Sequence, residues 1–358
     1  MEPWGAPAMP GFVSASDPAL DAFATHGGRL SQARARFPAA PAPWIDLSTG
    51  INPLPYPAAF ATAADRARLP DPEEIEALEA AAADAFGIAP ACVLATPGGE
   101  AAIRLLAEAL PARTAGVMEP TYSSHQRSWR DAGKRVKPIT VPLSDAVAQS
   151  VDALILVNPN NPDGGSVPAA DLADLASRVI APREGWLIVD EAFVECAPQL
   201  SVATLFSARW SAERLVAIRS FGKFYGLPGV RLGFITAHPA LIAQLRRRQG
   251  AWPVSADAIA AGIEAYSDRE WAEATRIRLY ADAARLDDLL RRAGFQIIGG
   301  TSLFRLAAAE DAARRFSALA ARGVLTRPFD YAPSWLRFGL PAPEHWPRVE
   351  AALMETAR

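Results

Sequence analysis

The sequence predicts an α/β protein: a large domain with a mainly parallel sheet covered by helices, followed by a smaller α+β domain. Three observations predict it. The chain has 358 residues, more than one hydrophobic core usually organises. Its middle alternates short apolar runs with helical patterns, and apolar strands separated by helices make a parallel sheet covered on both faces. Beyond about residue 255 the pattern changes to a long helical stretch, then mixed strand and helix signals.

The elements follow in chain order. Asp71-Pro72-Glu73-Glu74 supplies an N-cap, a first-turn proline and a capping-box glutamate, so a helix is expected from there to about Phe86, stopped by Gly87. Apolar runs then occur at 92–95, 115–118, 153–157, 187–189 and 215–218, with helical patterns such as 101–109 and 169–176 between them. One helical stretch is expected over about 255–293. Strand signals lie at 295–298, 303–307 and 336–338, with helical signals near 311–321 and 344–356. The expected division is an N-terminal arm over 1–45 packing with the small domain, a large domain over 46–255, and a small domain over 256–358. The Pro/Ala-rich segment 39–43 is expected to link arm and body. There is no internal repeat.

Composition narrows the class. Half the residues are hydrophobic, 21% are charged, and the formal net charge is −3, which gives no support for nucleic-acid or membrane partners. Cys92 and Cys196 have neither metal nor redox spacing and are expected to be reduced thiols of a cytoplasmic protein. The four histidines are too far apart in sequence to suggest a metal site. The first thirty residues lack the apolar core of a secretory leader.

The densest chemistry lies in Arg219-Ser-Phe-Gly-Lys-Phe-Tyr-Gly-Leu-Pro-Gly-Val-Arg-Leu-Gly233. Lys223 sits in a Gly-rich turn after an apolar run, with Ser220 three residues before it and Arg231 eight after. A Schiff base needs a primary amine that can lose its proton, which only lysine offers. A phosphate needs a hydroxyl donor and a fixed cation, and arginine supplies a bidentate fork. The stretch resembles the cofactor-lysine motif of the fold-type I pyridoxal-phosphate enzymes, the aspartate aminotransferase superfamily. The resemblance covers the chain from about residue 25 onward and implies pyridoxal 5′-phosphate as cofactor.

Other segments agree in order. Pro97-Gly98-Gly99-Glu100 opens a helix, and helix-start amides bind phosphate, making Gly99, Glu100 and Ala101 cradle candidates. Tyr122, in Glu119-Pro-Thr-Tyr, matches the family's aromatic that stacks on the cofactor ring. Asn161 lies where the family places an asparagine on the ring's phenolic oxygen. Asp190, ending the 187–189 run, can hold the pyridine nitrogen protonated. Arg337, in a late strand, matches the arginine that clamps a substrate carboxylate. Many relatives have tyrosine three residues after the ring aspartate; here the position is Phe193, so that hydrogen bond to the phenolic oxygen is missing. Histidinol-phosphate aminotransferases have a tyrosine before Pro-Asp-Pro that reaches the neighbouring subunit; here it is Leu69.

The N-terminal segments His26-Gly27-Gly28 and Trp44-Ile-Asp-Leu-Ser-Thr-Gly-Ile-Asn-Pro-Leu-Pro-Tyr-Pro57, with the lysine motif, resemble the threonine-phosphate decarboxylase family of cobalamin biosynthesis, kin to histidinol-phosphate aminotransferase. That resemblance implies decarboxylation of L-threonine O-3-phosphate to (R)-1-amino-2-propanol O-2-phosphate. Lys223, Asp190 and Tyr122 are then the expected catalytic residues. The substrate phosphate needs its own ligands, for which His26, Gly27, Asn52 and Arg327 are the candidates beside Asn161 and Arg337. Arg327 reads equally well as a solvated loop arginine. The Arg246-Arg-Arg248 run reads as a solvated helix face. The family resemblance also implies a homodimer acting on a small phosphorylated amino acid. An aminotransferase and a non-catalytic scaffold stay open beside the decarboxylase, and the intact Lys223, Asp190 and Arg231 argue against the scaffold.

Overall fold

The computed structural model describes residues 23–24, 27–206 and 212–356. They form two compact units. The first comprises Pro55–Asn161 and Gly165–Glu273; the second comprises 23–24, 27–54, Pro162–Gly164 and 274–356. The divisions fall at 54/55 and 273/274, where the sequence pattern draws them at 45/46 and 255/256.

The strands are β1 (Ile45–Asp46), β2 (Val93–Thr96), β3 (Thr114–Met118), β4 (Arg135–Ile139), β5 (Ala153–Val157), β6 (Trp186–Asp190), β7 (Leu215–Ser220), β8 (Gly233–Ala237), β9 (Gln296–Thr301), β10 (Phe304–Ala308), β11 (Val324–Leu325), β12 (Arg327–Pro328) and β13 (Trp335–Gly339). The first unit holds a seven-stranded sheet in the order β2-β8-β7-β6-β5-β3-β4. Neighbours from β7 through β4 are parallel, and β8 runs antiparallel between β2 and β7.

Side-chain alternation explains why the central strands read as continuous apolar runs. On β5, Ile155 enters one core with Ile103, Leu106, Trp129 and Ile188. Its neighbours Leu154 and Leu156 enter another with Leu172, Leu187 and Val189. Successive residues point to opposite faces, so a strand with two cores needs apolar residues throughout.

Two strands of this seven-stranded sheet escape sequence reading. β4 is an edge strand, Arg-Val-Lys-Pro-Ile, with Arg135, Lys137 and Pro138 exposed and only Ile139 fully buried, so it carries no continuous apolar signature. β8 follows directly on the Lys223 motif, whose glycines read as loop. At the opposite edge, β2 has its outward backbone groups satisfied by side chains. Glu79 accepts from Ala95 N at 2.9 Å, Gln249 donates to Ala95 O at 3.0 Å, and Arg246 donates to Val93 O at 3.3 Å. Arg246 also pairs with buried Glu79 at 2.7 Å, so this member of the arginine run has a structural task.

The capping box at Asp71 and Glu74 starts a helix over Pro72–Phe86, which ends at Gly87 with φ 72°, a left-handed conformation that glycine adopts without strain. The stretch expected as one helix over 255–293 is instead two, Ala256–Ser267 and Arg269–Arg292. Asp268 interrupts them at φ −90°, ψ 79°, and its Oδ1 accepts from Trp271 N at 2.9 Å. Aspartate competes for backbone N–H groups and favours a cap over a helix interior; apolar periodicity on both sides hides that break.

In the second unit, β12-β13-β10-β9 form an antiparallel sheet, and β1 pairs in parallel with β11. The segment after β1 is stitched to β13: Gly339 N donates to Leu47 O at 2.6 Å.

Candidate active site

In the first unit the parallel topology carries the carboxyl ends of β2, β3, β5, β6 and β7 to one edge of the sheet, where open α/β sheets bind ligands. Gly98, Tyr122, Asn161, Asp190 and Lys223 all follow or end those strands.

An anion cradle stands after β2. Gly98 has φ 88° and precedes the helix Gly99–Ala109. A Cβ on Gly98 would lie 2.8 Å from Nη2 of Arg231, so the guanidinium sits against the helix start. Arg231 itself holds φ 60°, an uncommon conformation for a side-chain-bearing residue, and donates to Pro228 O at 3.2 Å. Ser220 precedes the short helix Phe221–Phe224 yet caps none of its amides. A Cβ on Gly233 would come within 2.6 Å of Gly99 N, so β8 passes close to the helix start. Ala101 N donates back to Gly98 O at 3.1 Å; Gly99 and Glu100 lead the helix, whose first amides have no intrahelical acceptor. Helix amides, a hydroxyl and a guanidinium at one place form a donor set that fits a phosphate.

Asp190 is buried. Its Oδ1 accepts from Ala192 N at 3.0 Å and its Oδ2 lies 2.8 Å from Nε2 of buried His125. His125 was not among the residues expected from sequence. It follows Tyr122 by three positions, and the rings meet edge-on with centroids 6.4 Å apart. Its pairing with Asp190 joins residues 65 apart in sequence, so no local pattern points to it. Tyr122 donates to Glu100 Oε2 at 3.3 Å; burial pushes its phenol up.

Two asparagines fix the loop after β5. Asn158 exchanges hydrogen bonds with Val167, both 2.9 Å. Asn160 donates to Pro120 O at 2.9 Å and accepts from Thr121 Oγ1 at 2.8 Å, tying the loop to the one bearing Tyr122. Asn161 is half-buried in the same turn, and Lys223 is half-buried on its short helix. Phe193 is buried. Beneath Asp190 and Ser220, their neighbours form a buried ion pair, Arg219 Nη1 to Glu191 Oε2 at 2.9 Å, with Arg219 4.1 Å over the ring of Phe86.

The second unit gathers the other expected residues. Arg327 on β12 is the register partner of Arg337 on β13, and both are buried. Arg327 is therefore no solvated loop residue. Arg337 donates to Ser48 O at 2.7 Å and lies 5.2 Å over the ring of Phe304. Burial, and then the charge of Arg327, hold its guanidinium well below the usual arginine range. Asn52 is buried, with Oδ1 accepting from Arg278 Nη2 at 2.7 Å and Leu54 N at 3.1 Å. A Cβ on Gly27 would collide with the Ser48 carbonyl oxygen. His26 lies outside the described residues.

Fold and site together define a class. The chain belongs to the class I and II aminotransferase family, whose pattern it matches over residues 42–347. It is 40% identical over 330 residues to threonine-phosphate decarboxylase of Pseudomonas aeruginosa, covering 92% of this chain and 97% of that one. It is 39% identical to threonine-phosphate decarboxylase of a Sinorhizobium species, covering 90% and 94%. Histidinol-phosphate aminotransferase of Sinorhizobium meliloti, solved in complex with pyridoxal-5′-phosphate, shares the fold at TM-score 0.77 and 19% identity, covering 97% and 99%.

Proposed function

We propose that the protein is a pyridoxal-phosphate-dependent decarboxylase of L-threonine O-3-phosphate, yielding (R)-1-amino-2-propanol O-2-phosphate and carbon dioxide for cobalamin biosynthesis. The observation that carries the reading is the buried Arg327–Arg337 pair. A substrate with a carboxylate and a phosphate dianion suits two adjacent buried cations, since arginine pairs with both groups through a planar fork.

Bound pyridoxal phosphate supplies an electron sink for the pair released when the bond from Cα to the carboxylate breaks. The residues suited to hold it are Lys223 through its amine, Ser220, Arg231, Gly99, Glu100 and Ala101 at the phosphate, Tyr122 on the ring face, and Asn161 and Asp190 at the ring edge. Asp190 holds a proton on the ring nitrogen, with its own orientation fixed by His125 and the Ala192 amide. Lys223 moves protons at Nζ. Arg327, Arg337, Asn52, Gly27 and His26 bind and orient the substrate, and the pose they impose decides which bond to Cα breaks. With Phe193 in place of tyrosine, the phenolic oxygen loses one donor.

A homodimer in the cytoplasm is part of this proposal. Leu69 and Trp252 of the first unit are 60% and 54% exposed, and large exposed apolar side chains suit burial against a partner. No helix among the described residues is long and apolar enough to cross a membrane. Incubation with threonine phosphate and no keto acid should release carbon dioxide over many turnovers. Stalling after one half-reaction with histidinol phosphate, resumption with 2-oxoglutarate, and indifference to threonine phosphate would establish an aminotransferase instead.

A further inference from the structure

We infer that Ser48 is a positioning residue for substrate anion recognition, holding the Gly27-Gly28 segment and the Arg337 guanidinium in fixed relation. This rests on the reading of Arg337 as a substrate ligand. Ser48 is buried and each of its polar groups is directed. Its hydroxyl donates to Asp46 Oδ1 at 2.5 Å and accepts from Gly28 N at 2.8 Å. Its own amide donates to the same Asp46 oxygen at 2.9 Å. Its carbonyl accepts from Arg337 Nη2 at 2.7 Å. That carbonyl is also the group that excludes any side chain at position 27.

The arrangement divides the work. The backbone carbonyl commits one corner of the guanidinium, which turns the rest of the fork in a set direction. The side chain commits the backbone that follows His26. Asp46 orients the hydroxyl so that its lone pair, and not its proton, faces Gly28. Both binding elements therefore meet through one residue, and a serine there has a role that alanine cannot fill. Removing the hydroxyl frees the Gly27-Gly28 backbone and leaves the carbonyl contact to Arg337 in place.

The test compares wild type, Ser48→Ala, Ser48→Thr and Gly27→Ala, all with cofactor. Ser48→Ala should raise KM for threonine phosphate about five- to tenfold, the scale of one buried hydrogen bond, with kcat within twofold and an unchanged cofactor spectrum. Ser48→Thr should restore most of the loss, and Gly27→Ala should reproduce it. Hydrogen exchange at the Gly28 amide should quicken in Ser48→Ala. Inorganic phosphate, measured by calorimetry, should bind the alanine variant more weakly by a similar factor. An unchanged KM and phosphate affinity in Ser48→Ala overturns the inference, as does a fall in kcat and thermal stability with KM constant. Wild type that binds no phosphate overturns it too. Wild type that fails on threonine phosphate while its phosphate affinity depends on Ser48 overturns the proposed reaction and leaves the inference standing.

Discussion

Arg327 and Arg337 face each other across the β12–β13 ladder, both buried. Like charges directly opposite on a sheet destabilise it by up to about 1 kcal/mol, and an anion bound beside the pair would offset that cost. Replacing Arg327 with Met should raise the thermal midpoint of the free protein slightly, by roughly 0.5 kcal/mol of stability. The same variant should raise KM for threonine phosphate at least about tenfold, since a buried charged hydrogen bond is worth roughly 1.5–3 kcal/mol. Differential scanning calorimetry with and without phosphate, beside steady-state kinetics, reads both. A variant that is less stable and binds substrate normally would contradict the assignment.

Asp190 and His125 should be separable by kinetics. Asp190→Asn removes the carboxylate proposed to hold the ring nitrogen's proton and should lower kcat by roughly 10²–10³-fold, the usual scale of a site electrostatic group. His125→Ala leaves the carboxylate in place but loses its partner at 2.8 Å, and should cost about ten- to a hundredfold. Equal rates for wild type and Asp190→Asn would remove Asp190 from the chemistry.

Gly98→Ala tests the anion cradle. The added methyl group would meet the Arg231 guanidinium at 2.8 Å and would be held at φ 88°, so the arginine must move. The expected outcome is cofactor affinity weakened by roughly ten- to a hundredfold, on the order of 1–3 kcal/mol of strain and lost contact, with the apoprotein still folded. Fluorescence titration of the apoprotein measures it.

Lys223→Ala should abolish covalent cofactor attachment and turnover together. Borohydride reduction of wild type, followed by peptide mapping, should place the pyridoxyl group on Lys223. A label on any other lysine would reassign the site.

Acid stability should report the capping box at Glu74. Its carboxyl is held down to about 2, first by the hydrogen bond from Arg68 and then by the Asp71 amide. The folded value lies below the unfolded one, so the contribution is present above about pH 4.5 and is lost as pH falls towards 2. Glu74→Gln should lack this pH-dependent component in thermal melts recorded across that window.

The fold was legible where a strand had two faces to bury. β5 and β6 announce themselves because Leu154, Ile155 and Leu156 all need apolar surroundings. β4 does not, because three of its five residues are exposed and only Ile139 is buried. The Asp268 break was hidden because one aspartate in a long periodic stretch looks like an exposed helical position. At the site, Lys223, Asp190 and Arg231 stand out in the sequence alone because their residue type is itself the proposed chemistry. His125 does not, because it meets Asp190 only in the fold, and a partner chosen by proximity between segments has no local sequence pattern. Arg327 was ambiguous for a related reason: its burial comes from pairing with β13, ten residues further on.

The two borders of the seven-stranded sheet are finished in different ways. At β2 the outward amide and carbonyls already belong to Glu79, Gln249 and Arg246. At β4, Pro138 contributes no N–H, and Lys137 places a charge where another chain would have to dock. Neither border can serve as a template for an added strand. Among the described residues, the seven-stranded sheet that carries Lys223 is therefore guarded at both borders, which leaves side-chain surfaces as the route by which copies of this protein would associate.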